Sequence, residues 1–275
     1  MWPYPKVLAH RGGGKLAPEN TIAALRCGLA HGFRAVEFDV MLTQDEVPVL
    51  MHDPEFGRTV AGSGSVAQTR SQDLLQMDAG RWFGAGFEGE TVPAFASVLE
   101  FCQQNGIWMN IEIKPAPGHE TRTGAVVAEM TQRSFAGRPR QEWPLLSSFS
   151  MPALAAAMAG APALPRALLL DKLDDESGNE AGKEAGNQSG NELGKESDNG
   201  SGNTWLILAR QLQAVAVHTN QKHLTAPLAN AVKQAGLGLF CYTVNEPARA
   251  SQLLAWGVDA FCTDRIDLIG PAYPL

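Results

Sequence analysis

Ala35-Val-Glu-Phe-Asp-Val40 is the stretch that decides how this chain reads. In an extended strand the side chains alternate between faces, so Glu37 and Asp39 share one face while Val36, Phe38 and Val40 take the other. Two carboxylates side by side on such a strand are costly in an interior unless a cation meets them. Asn110-Ile-Glu-Ile-Lys-Pro115 repeats the pattern, with Glu112 and Lys114 on one face and Ile111 and Ile113 behind. A plainer alternative is that the acids are solvated strand ends, or pair with Arg11 and Lys114.

Working outward, apolar runs rich in Val, Ile and Leu recur at 7–10, 35–40, 47–52, 107–113, 145–149, 167–170, 214–218, 237–244 and 258–263. Amphipathic helical patterns lie between them at 20–31, 95–105, 124–133, 151–159, 205–213, 225–235 and 247–256. Alternation of this kind predicts an α/β fold with a parallel sheet and helices outside it. The number of repeats favours a (β/α)₈ TIM barrel over a doubly wound sheet, with residues 1–275 read as a single catalytic domain. One irregularity is expected. Nine runs must fill eight strands, and the link from Asp39 to Val47 is too short for a helical crossover.

Two segments stand outside the alternation. Residues 54–92, with scattered glycines and isolated Trp82, Phe83 and Phe87, read as an insertion after the third strand, a small cap on the face where post-strand loops gather. Residues 174–203 follow the sixth run. Glycine recurs there every fourth residue from 178 to 194, and the only apolar residues are Ala181, Ala185 and Leu193. Such a tract buries too little to offset chain entropy and is predicted to be disordered.

That tract also explains the charge. The chain carries −7, of which eight acids and two lysines in 174–203 account for −6. The remaining body, near −1, has no field to steer a polyanion, so nucleic acid is not an expected partner. Cys27, Cys102, Cys241 and Cys262 form no CxxC pair and read as reduced thiols. The first residues lack the apolar core of a signal peptide, and the Ala-rich run 151–170 is broken by Pro152, Pro162 and Pro165. A cytoplasmic protein without stable membrane association is expected.

The polar residues at strand ends suit chemistry on a phosphate. Three carboxylates, Glu37, Asp39 and Glu112, without a neighbouring Cys suit one hard divalent cation, Mg²⁺ or Ca²⁺. His10 and His52 each end an apolar run and suit acid/base work near neutral pH, although a lone histidine is more often a hydrogen-bonded core or loop residue. Arg11 opens Arg-Gly-Gly-Gly14, and its planar, permanent charge suits phosphate; the glycine run lacks the spacing of a P-loop or dinucleotide motif. In Glu19-Asn20-Thr21 either Asn20 or Thr21 suits a helix cap, and Glu19 an acid that orients His10 or Arg11. Of the other histidines, His31 and His223 read as structural or surface, His119 as solvated, and His218 as a residue at the pocket wall.

Taken together, Ala9-His-Arg-Gly-Gly-Gly14, Ala17-Pro-Glu-Asn-Thr21, Glu37-Phe-Asp-Val40, Val49-Leu-Met-His-Asp53, Asn110-Ile-Glu-Ile-Lys-Pro115, Tyr242-Thr-Val-Asn245 and Gly257-Val-Asp-Ala-Phe-Cys-Thr-Asp264 resemble the glycerophosphodiester phosphodiesterase family, its cytosolic bacterial members above all. The resemblance runs from end to end. It implies a TIM barrel with an insertion after the third strand. It implies that Glu37, Asp39 and Glu112 hold one divalent metal, that His10 and His52 serve as general acid and base, and that Arg11 and Lys114 bind phosphate oxygens. Glu19 and Asn20 would support them from behind. Tyr242 stands where the family usually has Trp, in the pocket wall, which bears on the shape of the alcohol side. The implied reaction is hydrolysis of a small glycerophosphodiester to sn-glycerol 3-phosphate and an alcohol, with water or the glycerol 2-hydroxyl as nucleophile. Two alternatives remain: a phospholipase D-like or cyclising enzyme on a related barrel, and a non-catalytic barrel that binds phosphodiesters.

Overall fold

The computed structural model describes residues 2–173 and 204–273. Its strands are β1 Val7–Ala9, β2 Ala35–Leu42, β3 Pro48–Leu50, β4 Trp108–Ile113, β5 Leu145–Ser148, β6 Arg166–Leu170, β7 Ala216–Asn220, β8 Gly238–Tyr242 and β9 Ala260–Thr263. The helices are α1 Ile22–Ala30, α2 Ser71–Leu74, α3 Phe95–Gln104, α4 Glu120–Phe135, α5 Met151–Gly160, α6 Thr204–Gln211, α7 Ala226–Gln234 and α8 Pro247–Ala255.

Every residue of β2 is buried, as befits a parallel strand with a barrel lumen on one face and helices on the other. Among the described residues, eight strands pair in parallel as a closed ring: β1, β2, β4, β5, β6, β7, β8, β9 and back to β1. This is the expected TIM barrel. Three of the helices between strands, α1, α5 and α7, start where a short hydroxyl side chain satisfies an early amide. Thr21 Oγ1 accepts from Ala24 N at 3.1 Å ahead of α1, and Ser150 Oγ from Ala153 N at 3.2 Å ahead of α5. Helices α4 and α5 pack closely because Gly124 has no side chain; a Cβ there would stand 2.1 Å from the Ala153 carbonyl oxygen.

The ninth run resolves the irregularity. β3 is a strand, but it pairs antiparallel with the far end of β2 and stays outside the ring. The cause is the length of β2. Its residues 35–40 pair with β4, and its last residues run past the barrel to pair as Val40 with Leu50 and Leu42 with Pro48. A tight turn joins them: Thr43 N donates to Val47 O, Val47 N donates to Thr43 Oγ1, and Glu46 sits in the left-handed region at φ 62°. The hairpin carries the chain back toward the barrel mouth, so His52 arrives there from outside the ring.

Residues 54–92 hold short turns, α2 and an apolar cluster of their own, in which Val60, Val66, Leu74 and Val92 pack on Met41 and Val49 of the hairpin. The main core lies between ring and helices. A second cluster fills the lower lumen with Leu8, Trp108, Leu145, Phe240 and Cys262 among its members. Trp2 and Tyr4 close that end, Tyr4 stacking on Trp108 at 4.8 Å. The upper lumen is therefore left to polar residues. Cys102, Cys241 and Cys262 are buried, and all four cysteines are free thiols. No helix among the described residues is long and apolar enough to cross a membrane. The tract 174–203, expected to be disordered, lies outside the described residues.

Candidate active site

Parallel register sets β2 and β4 side by side, with Asp39 opposite Glu112 and Glu37 opposite Asn110. One oxygen from each of Glu37, Asp39 and Glu112 lies within 4.8 Å of the other two. Loss of solvent and the Asp39 charge push the Glu112 carboxyl up to about 8. Burial, with Asp39 and Glu112 beside it, pushes Glu37 well above the carboxylate range. Asp39 goes the other way: burial raises it, but Lys114 and Arg11 outweigh that and hold it at about 2. Lys114 Nζ is 3.6 Å from Asp39 Oδ1, and Arg11 Nε 3.5 Å from Asp39 Oδ2. Three such carboxyls ionise together only if a further cation shares them. The donor set is all oxygen with no thiolate, so the residues fit a hard divalent ion.

His10 follows β1. Its Nδ1 lies 2.6 Å from Asp264 Oδ1, and its Nε2 3.7 Å from Glu37 Oε2. Asp264 follows β9 and is itself held: Asn245 Nδ2 donates to its Oδ2 at 2.9 Å, and its backbone N–H donates to Asn245 Oδ1 at 2.8 Å. Burial raises the Asp264 carboxyl, yet the His10 hydrogen bond brings it down to about 2. His52 has the same arrangement. Its Nδ1 is 2.7 Å from Asp53 Oδ1, and Arg58 Nε donates to Asp53 Oδ2 at 2.5 Å. Burial holds the His52 imidazole below its ordinary value, with Arg11 and Lys114 adding to it against Asp39.

The loop after β1 explains the glycine run. Arg11 has φ 50° and Asn20 φ 58°, left-handed conformations that ordinary side chains adopt at a cost and that cluster at functional sites. Gly14, at φ 55°, lets the loop close on the end of β9; a Cβ there would stand 2.3 Å from the Asp264 carbonyl oxygen. Lys15 N donates to that same carbonyl at 2.9 Å. Downstream, Thr21 is the helix cap and Asn20 is not. Asn20 Nδ2 donates to Asp39 Oδ2 at 2.8 Å, and its Oδ1 accepts from Asp39 N. Glu19 holds Arg11, accepting from Nη1 at 2.7 Å, and takes two further bonds from Arg58 at 2.7 and 2.6 Å.

One cavity of ≈ 210 Å³ gathers His10, Arg11, Glu37, Asp39, His52, Glu112 and Lys114. Its far wall is apolar, with Phe149 and Tyr242 in edge contact at 5.9 Å and the Tyr242 hydroxyl donating to Leu170 O. His218 lines the cavity as expected. His31, His119 and His223 are exposed and lie away from it. The residues that sequence reasoning left without a role are Asp53, Arg58, Asn110, Asn245 and Asp264. Asp53, Asn110, Asn245 and Asp264 sit inside the quoted motifs, which was their only signal; Arg58 had none.

A family model, the glycerophosphoryl diester phosphodiesterase family, matches residues 10–268. The chain belongs to that family. Membership makes it a phosphodiesterase. A glycerophosphodiester phosphodiesterase of Caldanaerobacter subterraneus is 29% identical over 262 residues, covering 94% of this chain and 93% of the relative. A solved phosphodiesterase of Oleispira antarctica, in complex with its product sn-glycerol-3-phosphate, superposes at a TM-score of 0.76 with 30% identity over 94% of this chain and 93% of its own. A glycerophosphodiester phosphodiesterase of Agrobacterium tumefaciens, 24% identical, shares the fold at a TM-score of 0.72 over 96% of this chain and 98% of its own. The family match begins at His10, so every polar residue gathered in the cavity falls within it.

Proposed function

We propose that this family member hydrolyses small glycerophosphodiesters to sn-glycerol 3-phosphate and an alcohol, using one divalent cation, Mg²⁺ or Ca²⁺, held by Glu37, Asp39 and Glu112. The observation that carries the reading is the meeting, in one cavity, of three carboxylates and two cations flanked by two histidines, each with its Nδ1 against an aspartate. The relatives support it: one is described with sn-glycerol-3-phosphate as its product. When bound, the cation would supply positive charge toward the phosphate oxygens where charge builds in the transition state.

The protein's own groups do the rest. Arg11, steadied by Glu19, and Lys114 hold the non-bridging oxygens and share that charge. With Nδ1–H of each histidine donating to its aspartate, Nε2 is the working nitrogen. One histidine takes the proton of the attacking water, or of the glycerol 2-hydroxyl, whose cyclic phosphate water then opens; the other delivers a proton to the departing alcohol oxygen. Asp264 and Asp53 keep the two rings in place and stabilise each while it is charged. The apolar wall of Phe149 and Tyr242 receives the alcohol side, and residues 54–92 act as a cap tied to the mouth through Arg58. A small-molecule substrate and four free thiols fit work in the cytoplasm.

The test is turnover of glycerophosphoethanolamine followed by ³¹P NMR, after EDTA treatment and again with Mg²⁺ or Ca²⁺ restored. The expected result is loss of activity with EDTA, recovery with metal, and sn-glycerol 3-phosphate as end product. Metal-independent turnover would remove the carboxylate site from the reaction. A cyclic phosphate as end product would replace hydrolysis with cyclisation, and tight binding without turnover would make the barrel a binder.

A further inference from the structure

Below Asp39 and Glu112 the cavity holds polar residues that the reaction above does not use. Asn110 precedes Glu112 by two residues on β4, about 7 Å lower along that strand, and is the register partner of Glu37. Asn110, Leu169, His218, Phe240 and Cys262 line the same cavity. Two polar atoms there, Asn110 Oδ1 and His218 Nε2, are buried without a hydrogen-bond partner among the described residues. Asn110 is 2% exposed and His218 1%. Buried polar atoms are nearly always paired, so two orphans lining one cavity point to a ligand group that completes them. The His218 ring is stacked on Phe240 with centroids 4.4 Å apart at 29°, which sets its plane in advance.

We propose that His218 and Asn110 form a floor subsite that takes a hydroxyl of the glycerol half of the substrate and so selects glycerophosphodiesters over diesters lacking free hydroxyls. This rests on the function proposed above and names how the substrate is recognised. Chemistry separates the two halves of the substrate. Burial holds the His218 imidazole down at about 3, so it is neutral at physiological pH and offers one N–H and one lone pair. A hydroxyl both donates and accepts, and it matches a neutral imidazole and a carboxamide oxygen. A charged head group would lose its water at this floor against neutral partners. The open side of the cavity suits the variable alcohol better, since Phe149 stands there 49% exposed.

The experiment compares kcat/KM on glycerophosphoethanolamine and on bis(p-nitrophenyl) phosphate, for the wild type, His218→Phe, His218→Gln and Asn110→Val, with thermal unfolding as a check on folding. The expected result is that the ratio of the two kcat/KM values falls at least tenfold in His218→Phe and in Asn110→Val, and recovers in part in His218→Gln. Inhibition of p-nitrophenyl ester cleavage by sn-glycerol 3-phosphate should weaken by a similar factor, while inhibition by inorganic phosphate shifts far less. An unchanged ratio, or equal losses on both diesters, would overturn the subsite. A wild-type enzyme that turns over neither diester would instead remove the functional reading. In that case, or if the variants fail to fold, the ¹⁵N shift of His218 in the wild type during titration with sn-glycerol 3-phosphate decides: a saturable shift supports the subsite, and none overturns it.

Discussion

His10 Nδ1 and Asp264 Oδ1 lie 2.6 Å apart, so the first and last strands of the barrel meet in one hydrogen bond at its mouth. Asp264 orients the ring and keeps its own charge through that contact. Asp264→Asn is expected to lower kcat by about 10²–10⁴ with KM nearly constant, because His10, the proposed proton carrier, would lose its orientation while the proposed phosphate contacts of Arg11 and Lys114 would remain. Steady-state kinetics check this; a variant with wild-type kcat would take Asp264 out of the mechanism.

Arg58 reaches from the 54–92 segment to Glu19 and Asp53, the partners of Arg11 and His52. Arg58→Met should therefore act on both phosphate binding and proton transfer. The expected loss in kcat/KM is about 10–100-fold, since small misplacements in a reacting constellation carry costs of that size. Arg58 is 45% exposed, so the stability change should stay under about 1 kcal/mol. A large drop in melting temperature without a kinetic effect would mark Arg58 as purely structural.

Metal binding should be visible without any assay of turnover. The EDTA-treated protein is expected to gain about 2.7 kcal/mol when Mg²⁺ or Ca²⁺ reaches ~100-fold over its Kd, because only the folded chain presents the three carboxylates together. Glu112→Gln should shrink that gain. Thermal unfolding across a metal titration measures both, and an equal response in the variant would place the ion elsewhere.

His218 makes stability depend on pH. Its folded value is about 3, against 6.5 for a free imidazole. Between these limits the unfolded chain binds the extra proton, so acid favours unfolding. Stability therefore rises with pH across this window and is level above it, by up to about 1.4 kcal/mol per unit. Urea denaturation at about pH 4 and pH 7 should show this component in the wild type and not in His218→Phe. The same slope in both proteins would show that His218 does not stay neutral when buried.

Gly14→Ala should disturb the site through the backbone. The substitution sets a Cβ 2.3 Å from the Asp264 carbonyl at a φ of 55°. A cost of about 1–3 kcal/mol is expected, together with a lower kcat as Asp264 shifts from His10. Unfolding and kinetics on the same preparation check the pair; a variant as stable and active as wild type would show that the loop has room.

Local periodicity carried much of this protein in its sequence. The alternation in 35–40 and 110–115 put Glu37 with Asp39 and Glu112 with Lys114, and the repeating strand and helix patterns implied the barrel, because parity and period depend only on neighbouring residues. Closure of the ring decided the rest. The run at 47–52 has the composition of any buried strand, and nothing local says that it turns antiparallel outside the barrel and returns His52 to the mouth. Asn20 and Thr21 are equal candidates for a cap until Asp39 stands beside Asn20. Asp264 sits 254 residues from His10, and Arg58 is one exposed arginine among many until the fold lays it across Glu19 and Asp53. His218 and Asn110 are ordinary strand residues whose unpaired atoms exist only because the lumen encloses them. Pairings of this kind are set by where distant strand ends meet, and only the tertiary structure brings them together.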